Sequence, residues 1–244
     1  GAHNYTYDKT YQLTQAAGPQ ASSYTYDSVG NRTAASGTGT PSTYTPNSLN
    51  QYSSVDSVTY DYDLNGNLTN DGTNTYTYDF ENRLVSVDYG LSTVDFSYDP
   101  FGRRLTKAVT QASTLTTHTY LSDGDQILEV FPCNLQLASC SLRQSFVHGP
   151  SIDEPLEITN HQTSVTSYYH ADGLGSITSL PDSSGTIQES YTYDAYGLPE
   201  IKNSSNTVIP ESLIGNPFLF TGRELDSETG LYYYRNRYYH PKLG

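Results

Sequence analysis

Polar and apolar positions alternate along most of the chain. In "TYTYDFENRLVSVDY" (75–89), Tyr76 and Tyr78 fall on one face at period two, and Leu84 and Val85 begin a returning run. Period two is the mark of a half-buried strand, because successive side chains point to opposite faces. Between the two runs come Asp and Asn, and elsewhere Gly, which tolerate the positive φ of tight hairpin turns. The segment therefore predicts a β-hairpin.

The same phase returns as "YTYD" (5–8), "YTYDSVGNRT" (24–33), "YDYDLNGNLTND" (60–71), "FSYDPFGRRL" (96–105) and "YTYDAYGLPE" (191–200). The Tyr preceding each Asp stands at Tyr7, Tyr26, Tyr62, Tyr78, Tyr98 and Tyr193, with first gaps of 19, 36, 16 and 20. The gap of 36 is two units, with Tyr44 in the degenerate one between. Weaker units follow at 118–130, 146–158 and 168–180. A unit of about 16–22 residues holds two strands of roughly six to eight residues. Hairpins laid side by side bring the six tyrosines into a ladder across strands, each repeat supported by its neighbours. No sustained 3.6 period is found; 204–218, broken by Pro210 and Pro217, reads as a loop with room for one helical turn. The fold class expected is all-β: antiparallel hairpin repeats in one curved, spiralling sheet. The chain divides into clear repeats (1–130), a Cys-containing loop insertion (131–145), degenerate repeats (146–215) and a distinct end segment (216–244).

Composition agrees. Tyr occurs 24 times against 7 Phe and no Trp, and charged residues make up only 16%. The net charge of −14 leaves no basic footprint for nucleic acid and no attraction to an anionic membrane surface. No run approaches the length needed to span a bilayer. The absence of Met marks the sequence as a processed or excised piece of a longer product.

The stretch 60–71 imitates a calcium loop, with Asp61, Asp63 and Asn65 alternating before Gly66. Counted from Asp61, the twelfth position, which must supply a bidentate carboxylate, is Gly72. The repeat explains the pattern better, and no cofactor or metal is expected. Cys133 and Cys140 are the only cysteines. Their spacing suits neither zinc nor a Cys-x-x-Cys redox site, leaving a loop-clamping disulfide outside the cytosol or two free thiols.

The Tyr-Asp units resemble the YD repeats of the Rhs family, shared with C components of bacterial ABC toxins, Wap-type wall-associated toxins and teneurins. The tail "NPFLFTGRELDSETGLYYYRNRYYHPKLG" (216–244) resembles the Rhs repeat-associated core signature, through Gly222, Arg223, Glu224, Asp226, Gly230, Tyr232, Arg235, Arg237, Tyr238, Tyr239, Pro241 and Gly244. The segments 153–157 and 168–197 match the same region. The resemblance implies a long antiparallel sheet spiralling into a hollow cocoon. In toxin members it encloses a variable C-terminal polypeptide, freed by an aspartyl autoprotease in the core. The family usually has Asp where this chain has His240, and its catalytic carboxylates lie in segments past Gly244, so no catalytic residue is transferred.

The charged tail residues Arg223, Glu224, Asp226, Glu228, Arg235 and Arg237 are expected to bridge one another in a structural network. No zinc helix, dinucleotide loop or Gly-x-Ser-x-Gly elbow is present. The first reading is a non-catalytic shell fragment, secreted or at the cell surface. Its partners would be the remainder of the parent shell and a C-terminal cargo. The second is an extracellular adhesion or carbohydrate- or protein-binding module, which would expose its tyrosines. The third is a truncated aspartyl autoprotease. The sheet should end in two edges, "NYTYDKTYQLT" (4–14), open to self-association, and "LYYYRNRYYHP" (231–241), defended by Arg235 and Arg237.

Overall fold

A computed structural model describes residues 4–18, 20–37, 43–134 and 139–244. Apart from one 3-10 turn, Phe220–Gly222, its regular structure is antiparallel β-strand. The sheet is not continuous. Four strands, from Asn4–Tyr7 to Arg32–Ser36, form one sheet and three, from Tyr44–Pro46 to Val58–Thr59, a second. Twelve, from Asp61–Tyr62 to Val165–Tyr168, form the longest, and five, from His170–Ala171 to Val208–Ile209, a fourth. Isolated bridges Ala34–Thr43 and Ser167–Asp182 link neighbouring sheets. Strand order follows chain order, so successive hairpins lie side by side. Glu224–Asp226, Leu231–Tyr233 and Tyr238–Tyr239 make a separate three-stranded sheet. No helix among the described residues is long and apolar enough to cross a membrane.

One turn geometry recurs. In the hairpin at 60–71, Asp63 Oδ1 accepts the backbone N–H of Asn65 (2.9 Å) and of Asn67 (2.8 Å), and Gly66 N–H bonds the Asp63 carbonyl. Asp27, Asp79, Asp99, Asp172 and Asp194 repeat the pair of bonds at the second and fourth following residues, and Asn47 does so as a degenerate anchor. The third following residue has positive φ in each case: Gly30, Asn50, Gly66, Asn82, Gly102, Gly175 and Gly197. This is the four-residue hairpin loop that leaves a bulge on closing. The register slips at the ladder tyrosine in most units, so that Tyr78 pairs Leu84 and Tyr98 pairs Arg104, while Tyr193 pairs Pro199 without a slip. The calcium-like oxygens are thus turn anchors, while Asp61 is an exposed strand residue.

Period two carries both tyrosines of a unit to the inner face. In the repeat's Tyr-x-Tyr, the first aromatic is buried, as at Tyr24, Tyr76, Phe96 and Tyr191. The second reaches the preceding hairpin. Tyr26 Oη donates to Leu13 O (2.8 Å), Tyr62 to Tyr52 O (3.0 Å), Tyr98 to Leu84 O (2.5 Å) and Tyr193 to Ile177 O (2.7 Å). Each acceptor is the fifth residue after the preceding turn's anchor. Tyr78 packs into the middle apolar cluster, and Tyr7, in the first strand, is largely exposed.

Four expectations change. The N-terminal strands are four or five residues long, and strands of seven to ten occur only from Ser92 to Asn134, apart from Ile187–Tyr193. Cys133 lies within the strand Gln126–Asn134, paired with Cys140 in Ser139–Cys140; residues 135–138 of the expected loop fall outside the described residues. The C-terminal strands form no outer edge. Leu231, Tyr232 and Tyr233 are buried against the inner faces of the other sheets, because their apolar surface is satisfied there, and Val208–Ile209 ends the row of hairpins instead. The segment 204–218 contains that last short strand and no helical turn.

The hydroxyl ladder makes a direct prediction. Tyr193→Phe removes a bond to the Ile177 carbonyl and is expected to cost about 1 kcal/mol in urea unfolding. Tyr7→Phe, whose hydroxyl has no partner among the described residues, is expected to leave the midpoint unchanged.

Candidate functional site

Residues 212–244 turn off the end of the hairpin row and run back along its inner side. The turn is built on Glu189, buried, whose carboxylate accepts from Tyr191 Oη (2.5 Å), Ser212 Oγ (2.7 Å), Leu213 N (2.6 Å) and Ile214 N (3.2 Å). Asn216 continues it. Its Oδ1 accepts from Phe218 N and Tyr169 Oη, and its Nδ2 donates to Phe218 O and Tyr191 Oη. Phe218, Leu219 and Tyr232 then enter the apolar cluster of Tyr120, Val130, Phe146, Ile177 and Tyr191. Leu231 joins the cluster of Tyr76, Val87, Val94 and Phe96, and Leu243 packs on that of Tyr24, Tyr44 and Val55. One segment therefore touches all three cores.

Its charges are held by the surrounding sheets. Arg104, buried, donates to Glu224 Oε1 and to Asp226 Oδ2 (2.6 Å). Lys107 bridges Asp226 and Glu228, each at 3.0 Å. The Arg104 guanidinium lies over the rings of Tyr120 (4.8 Å) and Tyr233 (4.5 Å). On the other flank, Asp153 receives Arg223 (2.8 Å) and Arg235 (2.7 Å). Gly222, at φ +70°, is needed there, since a Cβ would stand 2.3 Å from the Asp153 carbonyl oxygen. At the far end Arg32 lies 4.4 Å from the ring centres of both Tyr44 and Tyr196, and donates to the carbonyls of Lys242 (2.8 Å) and Leu243.

The sequence led to the expectation that the tail charges bridge one another; among the described residues they instead pair with Arg104, Lys107 and Asp153 of the wall. In the strand pair, Glu224 faces Tyr233 and Asp226 faces Leu231, so the carboxylates meet no tail cation and find the long sheet's Arg104 and Lys107. Among the remaining signature residues, Tyr232 Oη donates to Gly197 O (2.9 Å) and Tyr239 Oη to Tyr196 O (2.7 Å), while Tyr238 Oη accepts from Arg104 (3.3 Å). Arg237 is exposed, Pro241 is buried, and Gly230 and Gly244 take positive φ. The Cys133 and Cys140 sulfurs are bonded, 2.05 Å apart, away from this segment's contacts.

Sequence reasoning missed Arg32, Arg104, Lys107, Asp153, Glu189 and Asn216. A signal existed for two of them. The fifth position after the turn anchor faces inward and is Leu13, Leu68, Leu84 or Ile177 in other units. In "GNRT" and "FGRRL" it is Arg32 and Arg104, cations in an apolar slot.

Burial works against the charge of Arg104 and Lys107, but Asp226, joined by Glu224 at Arg104 and by Glu228 at Lys107 and by Tyr120 at both, more than offsets it and keeps both protonated. For Asp226 too, burial is outweighed by Arg104 and Lys107, which hold it below its usual range; at Glu224 burial wins and raises the carboxyl. A cavity of about 910 Å³ lies between the segment and the sheets, lined among others by Lys107, His118, Arg143, Glu228 and His240. Burial pushes His118 down to about 4, aided by Lys107 and Arg143, and burial does the same to His240, also to about 4.

These histidines set a pH dependence. Between about 4 and 6.5 the unfolded chain binds protons that the folded chain refuses, so the stability present above pH 6.5 is lost as the pH falls through this window. Asp226 adds a loss at lower pH, and Glu224 acts in the opposite sense. Urea unfolding is expected to weaken from pH 7 to pH 4.5, with a shallower slope in His118→Gln.

A family model described as Teneurin YD-shell matches residues 2–244. The chain is 33% identical over 230 residues to the tRNA3(Ser)-specific nuclease WapA of Bacillus spizizenii, covering 91% of this chain and 9% of that protein. It is 32% identical over 230 residues to the tRNA nuclease WapA of Bacillus subtilis (strain 168), with the same coverage. The chain thus spans less than a tenth of the length of these relatives. Among solved structures, a chain of the TcdB2-TccC3-Cdc42 crystal structure superposes with a TM-score of 0.72 over 99% of this chain and 14% of that one, at 22% identity, a likeness of fold. With a family model matched from end to end, and the hairpin ladder and buried core segment in place, the chain belongs to the YD-shell family of Rhs/YD-repeat proteins.

Proposed function

We propose that this chain is a wall segment of the protective shell of an Rhs-type polymorphic toxin or cell-surface protein, and that residues 216–244 are a plug seated within that wall. The observation that carries the reading is the path of this segment, which lies on the inner faces of the sheets and is tied to the wall at Arg32, Arg104 and Asp153. The repeats supply the wall. In the parent, the partners are the remainder of the shell and an enclosed C-terminal polypeptide. The inward turn of the tyrosine ladder speaks for this over an adhesion module, which would present those rings outward. The chain acts as structure, not as an enzyme: the buried carboxylates Glu224 and Asp226 are engaged by Arg104, and Asp226 also by Lys107, as anchors. The Cys133–Cys140 bond supports a location outside the reducing cytosol, secreted or at the cell surface.

Hydrogen exchange tests the plug. Arg104→Ala leaves two buried carboxylates without their guanidinium and is expected to cost about 3–5 kcal/mol. In the wild type the amides of 216–244 should exchange only with global unfolding. In Arg104→Ala, or in the milder Arg235→Gln if the first fails to fold, they should open ahead of the strands of 75–111. Equal protection of the segment and the wall in both variants would overturn the role of these anchors.

A further inference from the structure

Three basic side chains of the longest sheet line the cavity of about 910 Å³. Lys107 and His118 stand opposite each other on the paired strands Arg104–Gln111 and Thr114–Asp123. Arg143 lies just before the strand Gln144–His148, where its backbone N–H bonds the Val130 carbonyl. Their neighbours on this face are the buried Tyr120, Val130 and Phe146. A charged group in such surroundings costs free energy unless it has a partner.

Lys107 has its partners, Asp226 and Glu228, and keeps one N–H of its ammonium in hand. Arg143 has none. Its Nε is buried and unbonded, and among the described residues no carboxylate pairs with its guanidinium. His118 Nδ1 is buried and unbonded too. An interior lone pair left unmatched is tolerated better than an N–H left unmatched. The ring proton therefore belongs on Nε2, which makes His118 a donor.

The backbone makes room for the arginine. Gly215 has φ +75°, and a Cβ there would stand 2.5 Å from Gln144 Nε2 and 3.8 Å from Arg143 Nη2. Gln144 Nε2 is already given to the Gly215 carbonyl (2.6 Å), so Arg143 is the donor left over. Carboxylates are near, but cations prevail at this point. Lys107 and Arg143 each act on His118 more strongly than Glu228 or Asp226 does, and with burial they hold the ring down at about 4.

We propose that Arg143 and His118, flanked by Lys107, form a binding site for one carboxylate group inside the cavity. The guanidinium offers the planar fork that a carboxylate accepts with both oxygens, and His118 Nε2 and Lys107 Nζ add donors beside it. The other lining groups select a single negative charge. Asp71, Glu211, Glu224 and Glu228 also face the cavity and repel a dianion such as phosphate. The carboxylate comes from a free small acid or from an acidic side chain of a polypeptide. The second source rests on the shell reading; the site itself does not.

The full chain is titrated with acetate near neutral pH while the His118 ring signals, assigned with His118→Gln, are followed by nuclear magnetic resonance. Acetate is expected to shift them with a Kd on the order of millimolar, and chloride at equal ionic strength to leave them in place. Arg143→Gln should weaken acetate binding at least about tenfold without lowering the urea midpoint, because it removes an unpaired cation; an arginine with a structural role would lower it. Should that variant fail to fold, Arg143→Lys, which keeps the charge and loses the fork, takes its place and should weaken binding about threefold or more. A blocked tripeptide with a central glutamate separates the sources. Tighter binding than acetate assigns the site to a polypeptide side chain, and weaker binding to a free acid. No response of His118 to either probe overturns the proposal. So does an equal response to chloride, an affinity unchanged in Arg143→Gln, or inorganic phosphate bound more tightly than acetate. Hydrogen exchange of 216–244 on the same samples reads the plug separately, so an empty site with a protected segment overturns the site alone.

Discussion

Two backbone N–H groups donating to one carboxylate oxygen organise the wall. By accepting the N–H groups two and four residues on, the repeat Asp closes a loop whose third following residue must take positive φ, and whose exit leaves a bulge at the tyrosine. Period two puts both tyrosines of the unit on one side. Once there, the first is buried and the second donates its hydroxyl to the preceding hairpin. Turn, register and repeat-to-repeat contact thus follow from one local constraint. Where Asn47 replaces Asp the bonds persist, because the amide oxygen accepts equally well.

A wall of hairpins with an apolar, tyrosine-lined inner face has to cover that face. The chain does so with its own last residues. The segment 216–244 supplies aromatic surface to three separate clusters and also carries carboxylates into them, which burial alone would forbid. The cost is offset where the wall presents Arg104 and Lys107, each charge held by hydrogen bonds and Arg104 flanked by rings. Such an arrangement favours one seating of the segment over others, since a shift by a residue would strand Asp226 away from both cations.

Some of this was legible in particular residues. The spacing of Tyr7, Tyr26, Tyr62, Tyr78, Tyr98 and Tyr193 located the hairpins, and the signature residues of 216–244 marked the end segment as different. Asp and Gly placed the turns, though the reason for the Asp, its paired N–H acceptance, was not read. The ion pairs were misread. Arg223, Glu224, Asp226 and Arg235 are close in sequence, and proximity along the chain suggested mutual bridging. In the strands the tail cations and the tail carboxylates instead meet partners from other sheets.

The sequence by itself determined what local chemistry decides: strand periodicity, the hairpin turn, the shared face of the tyrosines and the side-by-side order of the units. These depend on contacts within about twenty residues, and the repeat states them over and over. Only the tertiary structure decided which way the last segment runs, that the strand at 231–233 is buried rather than an edge, and that Arg104, Lys107, Asp153 and Arg32 hold it. Those pairings join residues 70 to 211 positions apart. Nothing in the local pattern distinguishes an arginine that will be buried against a distant carboxylate from one that stays in water, because the difference lies in which surfaces the curved sheet brings together.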